Sequence, residues 1–195
     1  KSGKPESLAD LDDVHIRGGE FIPGELEAAM ASDDIVASAV AEILEYAEKE
    51  ARKKILIFCC GVRHAGMVRE RIPGAAILTG ETPSEERREI LASFKTGDLR
   101  FLVNVNVLTE GFDAPNIDMI ALCRATKSPG LYYQMVGRGL RTCADKSDCL
   151  VLDFGSNVMR HGPIDKVRPK KDSSDGDGEA PCRTCPQCRE VILIA

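Results

Sequence analysis

Ile55-Leu56-Ile57-Phe58-Cys59-Cys60 stands between Arg52-Lys53-Lys54 and Gly61-Val62-Arg63-His64-Ala65. Six apolar residues in a row are few for a buried helix, and they lack the alternation of a strand with one wet face. Residues 54–59 therefore read as a strand covered on both sides, the kind found in parallel sheets. The flanks agree. Upstream, Val36, Val40, Ile43 and Ala47 recur at spacings of four, three and four, one face of a helix reaching to about residue 53. Ser32 or Asp33 suits its N-cap. Downstream, 63–71 suits a helix stopped by Pro73-Gly74, 75–78 a short strand, and 84–94 a helix with Pro83 and two glutamates at its start. Residues 101–105 and 118–122 read as strands, 129–140 as a helix opened by Pro129, and 149–154 as a last strand. This alternation predicts an α/β fold in which helices sandwich a parallel sheet, with functional groups at the C-terminal ends of its strands.

The bulk numbers set bounds. A chain of 195 residues suffices for one sizeable domain plus an appendage, and 43% hydrophobic residues allow a packed core. The longest apolar runs fall far short of the roughly 20 residues that cross a bilayer, and no secretory signal opens the chain. These features predict a cytoplasmic protein without a membrane partner. Lys1 in place of Met reads as a piece of a longer or processed protein. The net charge of −5 argues against phosphate binding over the whole surface, but a local basic strip can sit on an acidic body. Five scattered cysteines, Cys59, Cys60, Cys123, Cys143 and Cys149, suit reduced thiols, several of them in apolar runs. The organisation reads as a connector at 1–31 with one or two short strands, a domain at 32–160, a charged linker at 161–181 and a cysteine-bearing tail at 182–195.

Two segments carry the chemistry. In Gln134-Met135-Val136-Gly137-Arg138-Gly139-Leu140-Arg141, a helix puts Gln134, Arg138 and Arg141 on one face, and Gly137 lets another backbone approach. Two guanidinium groups beside an amide suit phosphate, as they also suit a solvated charged face. The strand at 101–105 runs into Asn106-Val107-Leu108-Thr109-Glu110-Gly111-Phe112-Asp113-Ala114-Pro115. There a strand end delivers a Thr, a Gly and an Asp into one turn, where Asp113 suits a ribose hydroxyl and equally an ordinary turn.

These two segments resemble motifs V and VI of superfamily 2 helicases of the DEAD/DEAH type. The strand at 55–59 with Val62-Arg63-His64-Ala65 resembles motif IV, and Leu78-Thr79-Gly80-Glu81 with Ser84-Glu85-Glu86-Arg87 resembles the block that follows it. The four blocks stand in order over 54–154. The stretch Asp12–Leu26, with Asp-Val-His-Ile-Arg-Gly-Gly-Glu-Phe within it, Arg124-x-Thr126-x-Ser128 and the cysteine tail resemble the RadD-like group of bacterial and phage DNA-repair helicases.

The resemblance implies a RecA-like C-terminal domain, one of two that clamp ATP and Mg2+ between them. The N-terminal RecA-like partner would supply the phosphate-cradling loop G-x-x-x-x-G-K-[ST] and the acidic magnesium-holding motif, neither of which occurs in this sequence. By resemblance, Arg141 is the arginine finger, Arg138 its companion on the same phosphates, and Gln134 arranges the γ-phosphate or the attacking water. Gly111 and Gly137 border the nucleotide and Asp113 binds the ribose. Gly61, Arg63, Thr79, Gly80, Arg87 and Thr109 lie along the phosphate backbone of DNA, single-stranded or at a junction. This half alone is expected to be silent. Two departures from the family pattern, Ser84 for a frequent Gln and Asn106 for a frequent Asp, bear on the nucleic-acid contacts.

Cys182-x-x-Cys185-x-x-Cys188 has the spacing of a zinc knuckle and supplies three thiolates where structural Zn2+ takes four ligands. Free thiols on a tail are the alternative, with His161 a weak further ligand. The same motifs V and VI would also serve the motor subunit of a restriction or remodelling system. A non-catalytic DNA-binding adaptor is the third reading, and Arg138 with Arg141 argues against it.

Overall fold

The structure, a computed structural model, describes residues 2–3, 5, 8–107, 114–144, 146–166, 182–184 and 191–193. In chain order its elements are β1 (Ser2–Gly3), β2 (Ile16–Arg17), β3 (Glu20–Phe21), α1 (Pro23–Met30), α2 (Asp33–Lys49), β4 (Ile55–Cys59), α3 (Val62–Arg71), β5 (Ala76–Leu78) and α4 (Ser84–Thr96). There follow β6 (Phe101–Asn104), β7 (Met119–Cys123), α5 (Pro129–Gly137), β8 (Leu150–Asp153), α6 (Asn157–His161), a short 3-10 turn (Ile164–Lys166), β9 (Cys182–Thr184) and β10 (Val191–Leu193).

One six-stranded sheet, ordered β1-β8-β7-β4-β6-β5, organises the molecule, and every pairing in it is parallel. The α/β fold expected from the alternation is the fold observed. β4 lies at the centre between β6 and β7, and all five of its residues are buried. The period of two sorts its side chains between two cores. Ile55, Ile57 and Cys59 join the helix α2 residues Val36, Val40 and Ile43 and the helix α3 residues Ala65 and Val68 on one face. Leu56 and Phe58 join Phe94 of α4 and Tyr132, Met135 and Val136 of α5 on the other.

Helix α2 begins where Ser32 accepts a hydrogen bond from the Ile35 amide at 3.4 Å. It ends at Lys49, four residues before the periodicity suggested. Ala51 turns left-handed at φ 50°, and the amides of Arg52 and Ala51 donate to the Ala47 and Glu48 carbonyls at 2.8 and 3.0 Å. That is a Schellman C-cap with alanine where glycine is usual. Helix α5 likewise stops at Gly137, short of the expected 140.

Residues 8–31, read as the connector, pack onto the sheet. β2 and β3 form an antiparallel hairpin closed by Gly18 and Gly19 at φ 61° and 80°, the left-handed pair a two-residue turn demands. Phe21, Leu26 and Met30 are buried with Cys60, the residue after β4, and Ala125, two residues past β7. β4 and β7 are neighbours whose connections leave in opposite directions, to β5 and to β8. Such a switch point is where open α/β sheets hold ligands. Here the chain fills it with its own α1.

Candidate functional site

The strongest motif sits at the end of α5. Ser128 caps the helix, accepting from the Leu131 amide at 3.2 Å, and Pro129 occupies the first turn. Past Gly137 the chain tightens: the Gly139 amide donates to the Val136 carbonyl at 2.9 Å and the Leu140 amide to the Gly137 carbonyl at 3.3 Å. These are three-residue turns rather than α-helical ones. The cause is contact with the sheet. A Cβ on Gly139 would lie 2.3 Å from Cys149 Sγ and 2.9 Å from Ile120 Cδ1, so only glycine lets the turn come this close. The helix ends at Gly137 with Arg138 as its C-cap, still at helical dihedrals, so the single face expected for Gln134, Arg138 and Arg141 is not carried by regular helix as far as Arg141. Gln134 is exposed, Arg138 is buried, and Arg141 is half-buried. Gly137 has open space at its Cβ position, which suits an approaching backbone. The neighbouring tyrosines divide: Tyr132 is buried and stacks on His161 at 5.5 Å, while Tyr133 points out at 55% exposure.

Thr109, Gly111 and Asp113 lie outside the described residues. Both ends of their segment are placed. Asn104 is fully buried in β6, and Asn106 turns left-handed at φ 54°, a conformation Asn tolerates better than most residues. Its Oδ1 accepts from Arg124 Nη1 at the end of β7. At the far end, Ala114 and Ile117 are buried against α5.

Of the residues read as nucleic-acid contacts, Gly61, Arg63, Thr79 and Gly80 stand just past the C-terminal ends of β4 and β5. Gly61 is the N-cap of α3 and Arg63, exposed, is in its first turn. A carboxylate already occupies that helix start. Glu27 of α1 accepts from the His64 amide at 3.0 Å, and a Cβ on Gly61 would lie 2.1 Å from Glu27 Oε1. Thr79 and Gly80 follow β5. Thr79 Oγ1 accepts from the Glu81 amide at 3.2 Å, and its own amide donates to Thr82 Oγ1 at 3.0 Å. Gly80 is exposed with open space at its Cβ position. Arg87 Nη2 donates to the carbonyls of Thr79 and Thr82 at 3.0 and 3.4 Å, so this arginine braces the turn.

A buried polar chain, which no single sequence motif announced, fixes the loop that starts α5. Glu20 accepts from the Lys127 amide at 2.8 Å and from the Thr126 hydroxyl. Asn157 accepts from the Thr126 amide at 2.9 Å and donates to the Arg124 carbonyl at 2.7 Å and to Asp153 at 2.8 Å. Asp153 also accepts from the Val158 amide at 2.7 Å, yet burial still raises its carboxyl above the usual range. Gly155 is obligatory there, since a Cβ would lie 2.4 Å from the Arg124 carbonyl oxygen. The recognisable signal was Glu20 in Gly18-Gly19-Glu20-Phe21, but its partners are over a hundred residues away.

Cys59, Cys60, Cys123 and Cys149 are buried free thiols and Cys143 is a half-buried one. Burial pushes Cys60 up to about 12 and Cys149 up to about 11, which makes both inert. Cys60 Sγ lies 2.9 Å from His64 Nδ1, and burial holds that imidazole down at about 4, neutral at physiological pH. His161 is spent on the fold, its Nε2 donating to the Thr126 carbonyl at 2.8 Å. Cys185 and Cys188 lie outside the described residues, and Cys182 begins β9. Among the described residues no group of His, Cys, Asp and Glu could hold a metal, and no helix is long and apolar enough to cross a membrane.

Residues 36–143 match the model of the helicase conserved C-terminal domain. A Saccharomyces cerevisiae protein described as a candidate ATP-dependent helicase, IRC3, is 35% identical over 150 residues, 75% of this chain and 22% of that protein. The endonuclease subunit of the type I restriction enzyme EcoKI of Escherichia coli K12 is 30% identical over 146 residues, 66% of this chain and 12% of that protein. A solved fragment from Vibrio vulnificus YJ016, described as a candidate HsdR subunit of a type I restriction enzyme, shares the fold. It has a TM-score of 0.66 at 18% identity and covers 85% of this chain and 34% of its own. The chain thus spans about a fifth of the yeast relative's length. With the expected parallel sheet observed and a family match over more than half its residues, this chain belongs to the helicase conserved C-terminal domain family.

Proposed function

We propose that this chain is the C-terminal motor half of an ATP-dependent DNA helicase or translocase. The observation that carries the reading is the turn at 138–141, which presents Arg141 half-buried on a backbone pressed against the sheet. A finger must be pre-positioned, because its value lies in meeting charge that develops only in the transition state. In this reading Arg141 reaches the γ-phosphate of an ATP whose Mg2+ and phosphates are held mainly by an N-terminal RecA-like domain. Arg138 accompanies it and Gln134 aligns the attacking water. Gly111, Asp113 and Gly137 border the nucleotide. Gly61, Arg63, Thr79, Gly80 and Thr109 offer amides, hydroxyls and one guanidinium to a nucleic-acid backbone, with Arg87 bracing the turn between them. Closure and reopening around ATP then step the strand along. Domain boundaries at 31, 160 and 181 and a zinc knuckle from Cys182, Cys185 and Cys188 belong to the same reading.

A specific observation favours a second version of this function. The EcoKI subunit and the HsdR fragment both belong to restriction enzymes, so a translocating restriction motor is the alternative setting. The deciding experiment is phosphate release from ATP, with and without single-stranded DNA, by this chain and by the protein extended to its natural start. The expected result is silence from the chain and DNA-stimulated turnover from the extended protein. Turnover by the chain alone would sink the reading.

A further inference from the structure

Lys146 lies in the loop between α5 and β8, where its amide donates to the Cys143 carbonyl at 3.2 Å. Its ammonium group meets three backbone carbonyls: Pro115 at 2.7 Å, Ile117 at 3.0 Å and Gly139 at 3.0 Å. An ammonium has three protons to give, and here each has a carbonyl. The three acceptors come from two separate segments. Pro115 and Ile117 close the stretch that leads from β6 to β7, which carries Thr109, Gly111 and Asp113. Gly139 is in the turn after α5, two residues before Arg141. Side-chain packing fastens both segments from the inside, through Ala114, Ile117, Met135 and Val136. Among the described residues, Lys146 ties their backbones through its ammonium group.

The tie has a reason to exist. The turn after Gly137 has left the α-helix and is held by three-residue hydrogen bonds, of which the Leu140 amide bond is long at 3.3 Å. Such a turn does not set its own direction as a continuing helix would. Packing of Gly139 on Cys149 sets its distance from the sheet, whereas a hydrogen bond to the Gly139 carbonyl sets its rotation. We propose that Lys146 is a positioning residue for the finger, holding the turn of Arg141 in register with Pro115 and Ile117, where the chain enters β7. This rests on the motor reading above and adds to it a residue outside the motifs.

A positioning role makes a specific demand on kinetics. An arginine displaced by about 1 Å still leaves ATP bound by the partner domain but loses on the order of 10²-fold in the chemical step. The test is steady-state ATP hydrolysis by the extended protein with saturating single-stranded DNA, comparing Lys146→Met, Lys146→Arg, Arg141→Ala and the double variants. Methionine keeps the aliphatic stem and removes all three donors. The expected result is a kcat lower by about 10- to 100-fold for Lys146→Met with KM for ATP changed by less than about twofold. Lys146→Arg, which keeps the charge and can reach some of the carbonyls, falls in between. In the Arg141→Ala background Lys146→Met lowers the residual rate no further, because it acts through Arg141. A wild-type kcat for Lys146→Met, or an equal loss in both backgrounds, overturns the inference. If Lys146→Met fails to fold, Lys146→Arg carries the same comparison of kcat with KM and of the two backgrounds. The parent reading fails separately: an Arg141→Ala protein that keeps most of its turnover removes the finger itself, whereas an inactive Arg141→Ala protein beside a fully active Lys146→Met protein removes only this inference.

Discussion

At the ends of β4 and β7 the molecule fills its own crevice, with Phe21, Leu26 and Met30 buried on Cys60 and Ala125 and the Glu27 carboxylate over Gly61. At the far end of α5 the turn at 138–141 is tied to the sheet from behind, yet Leu140 is 52% exposed and Arg141 half-buried. The first region is a closed apolar core and the second a partly exposed turn. Both begin from backbone that leaves a regular element. One is completed by a local apolar plug, so its energy appears in stability. The other carries a half-buried arginine, Arg141, to which the proposed function assigns an ATP phosphate. The same connector that plugs the crevice also grips the start of α5 through Glu20, Thr126 and Lys127, which joins the two regions mechanically.

This contrast breaks most sharply at Arg141. In the extended protein Arg141→Ala should lower kcat for ATP hydrolysis by about 10³-fold or more, roughly 4 kcal/mol of barrier. Leu26→Ala tests the opposite region. Leu26 is 3% exposed, and truncation should cost about 3 kcal/mol of unfolding free energy, read from urea titration. A loss below about 1 kcal/mol would mean that α1 is not part of the cooperative core.

The plugged crevice should also be acid-sensitive. His64 is 3% exposed beside Cys60 and the Glu27 carboxylate, and burial depresses its pKa from 6.5 to about 4. A folded-state pKa below the unfolded one means that the unfolded chain binds the extra proton in this window. The stabilisation is therefore complete above pH 6.5 and is lost as pH falls toward 4, by about 3 kcal/mol at most. His64→Leu should flatten the difference in unfolding free energy between pH 7 and pH 4.5. An unchanged slope would place the acid sensitivity elsewhere. The smallest effect belongs to neither region and calibrates them. Ala51→Gly relieves a left-handed alanine at φ 50° and should raise stability by about 0.5 kcal/mol, seen as a rise of a few degrees or less in thermal midpoint. A fall would mean that the entropy lost by glycine outweighs the strain.

Much of this was legible in the residues. The apolar run at 55–60 marked the central strand, and the spacing of Val36, Val40, Ile43 and Ala47 marked α2. Helix ends were less legible because they depend on backbone turns. Ala51 gives no glycine signal, and the stop at Gly137 depends on Cys149 and Ile120 packing behind Gly139. The Arg138–Arg141 segment was visible as a motif, but the regular helix that would carry its face to Arg141 stops at Gly137, with Arg138 as the cap. Glu20, Asp153, Asn157 and Lys146 were missed because their partners lie far away in the chain and leave no local pattern. The tail cysteines and Thr109, Gly111 and Asp113 rest on sequence alone.

The sequence by itself determined the layered α/β architecture, because hydrophobic period is a local property that any strand or helix must satisfy to bury one face. It also determined the family, through four ordered motifs whose residue types suit phosphate and nucleic acid. Only the tertiary structure decided which groups are available. Folding closed the switch-point crevice with α1, put a carboxylate on the His64 amide at the start of α3, buried Arg138 and left Arg141 half-buried. Availability depends on what packs against a side chain from distant parts of the chain, and no local pattern carries that information.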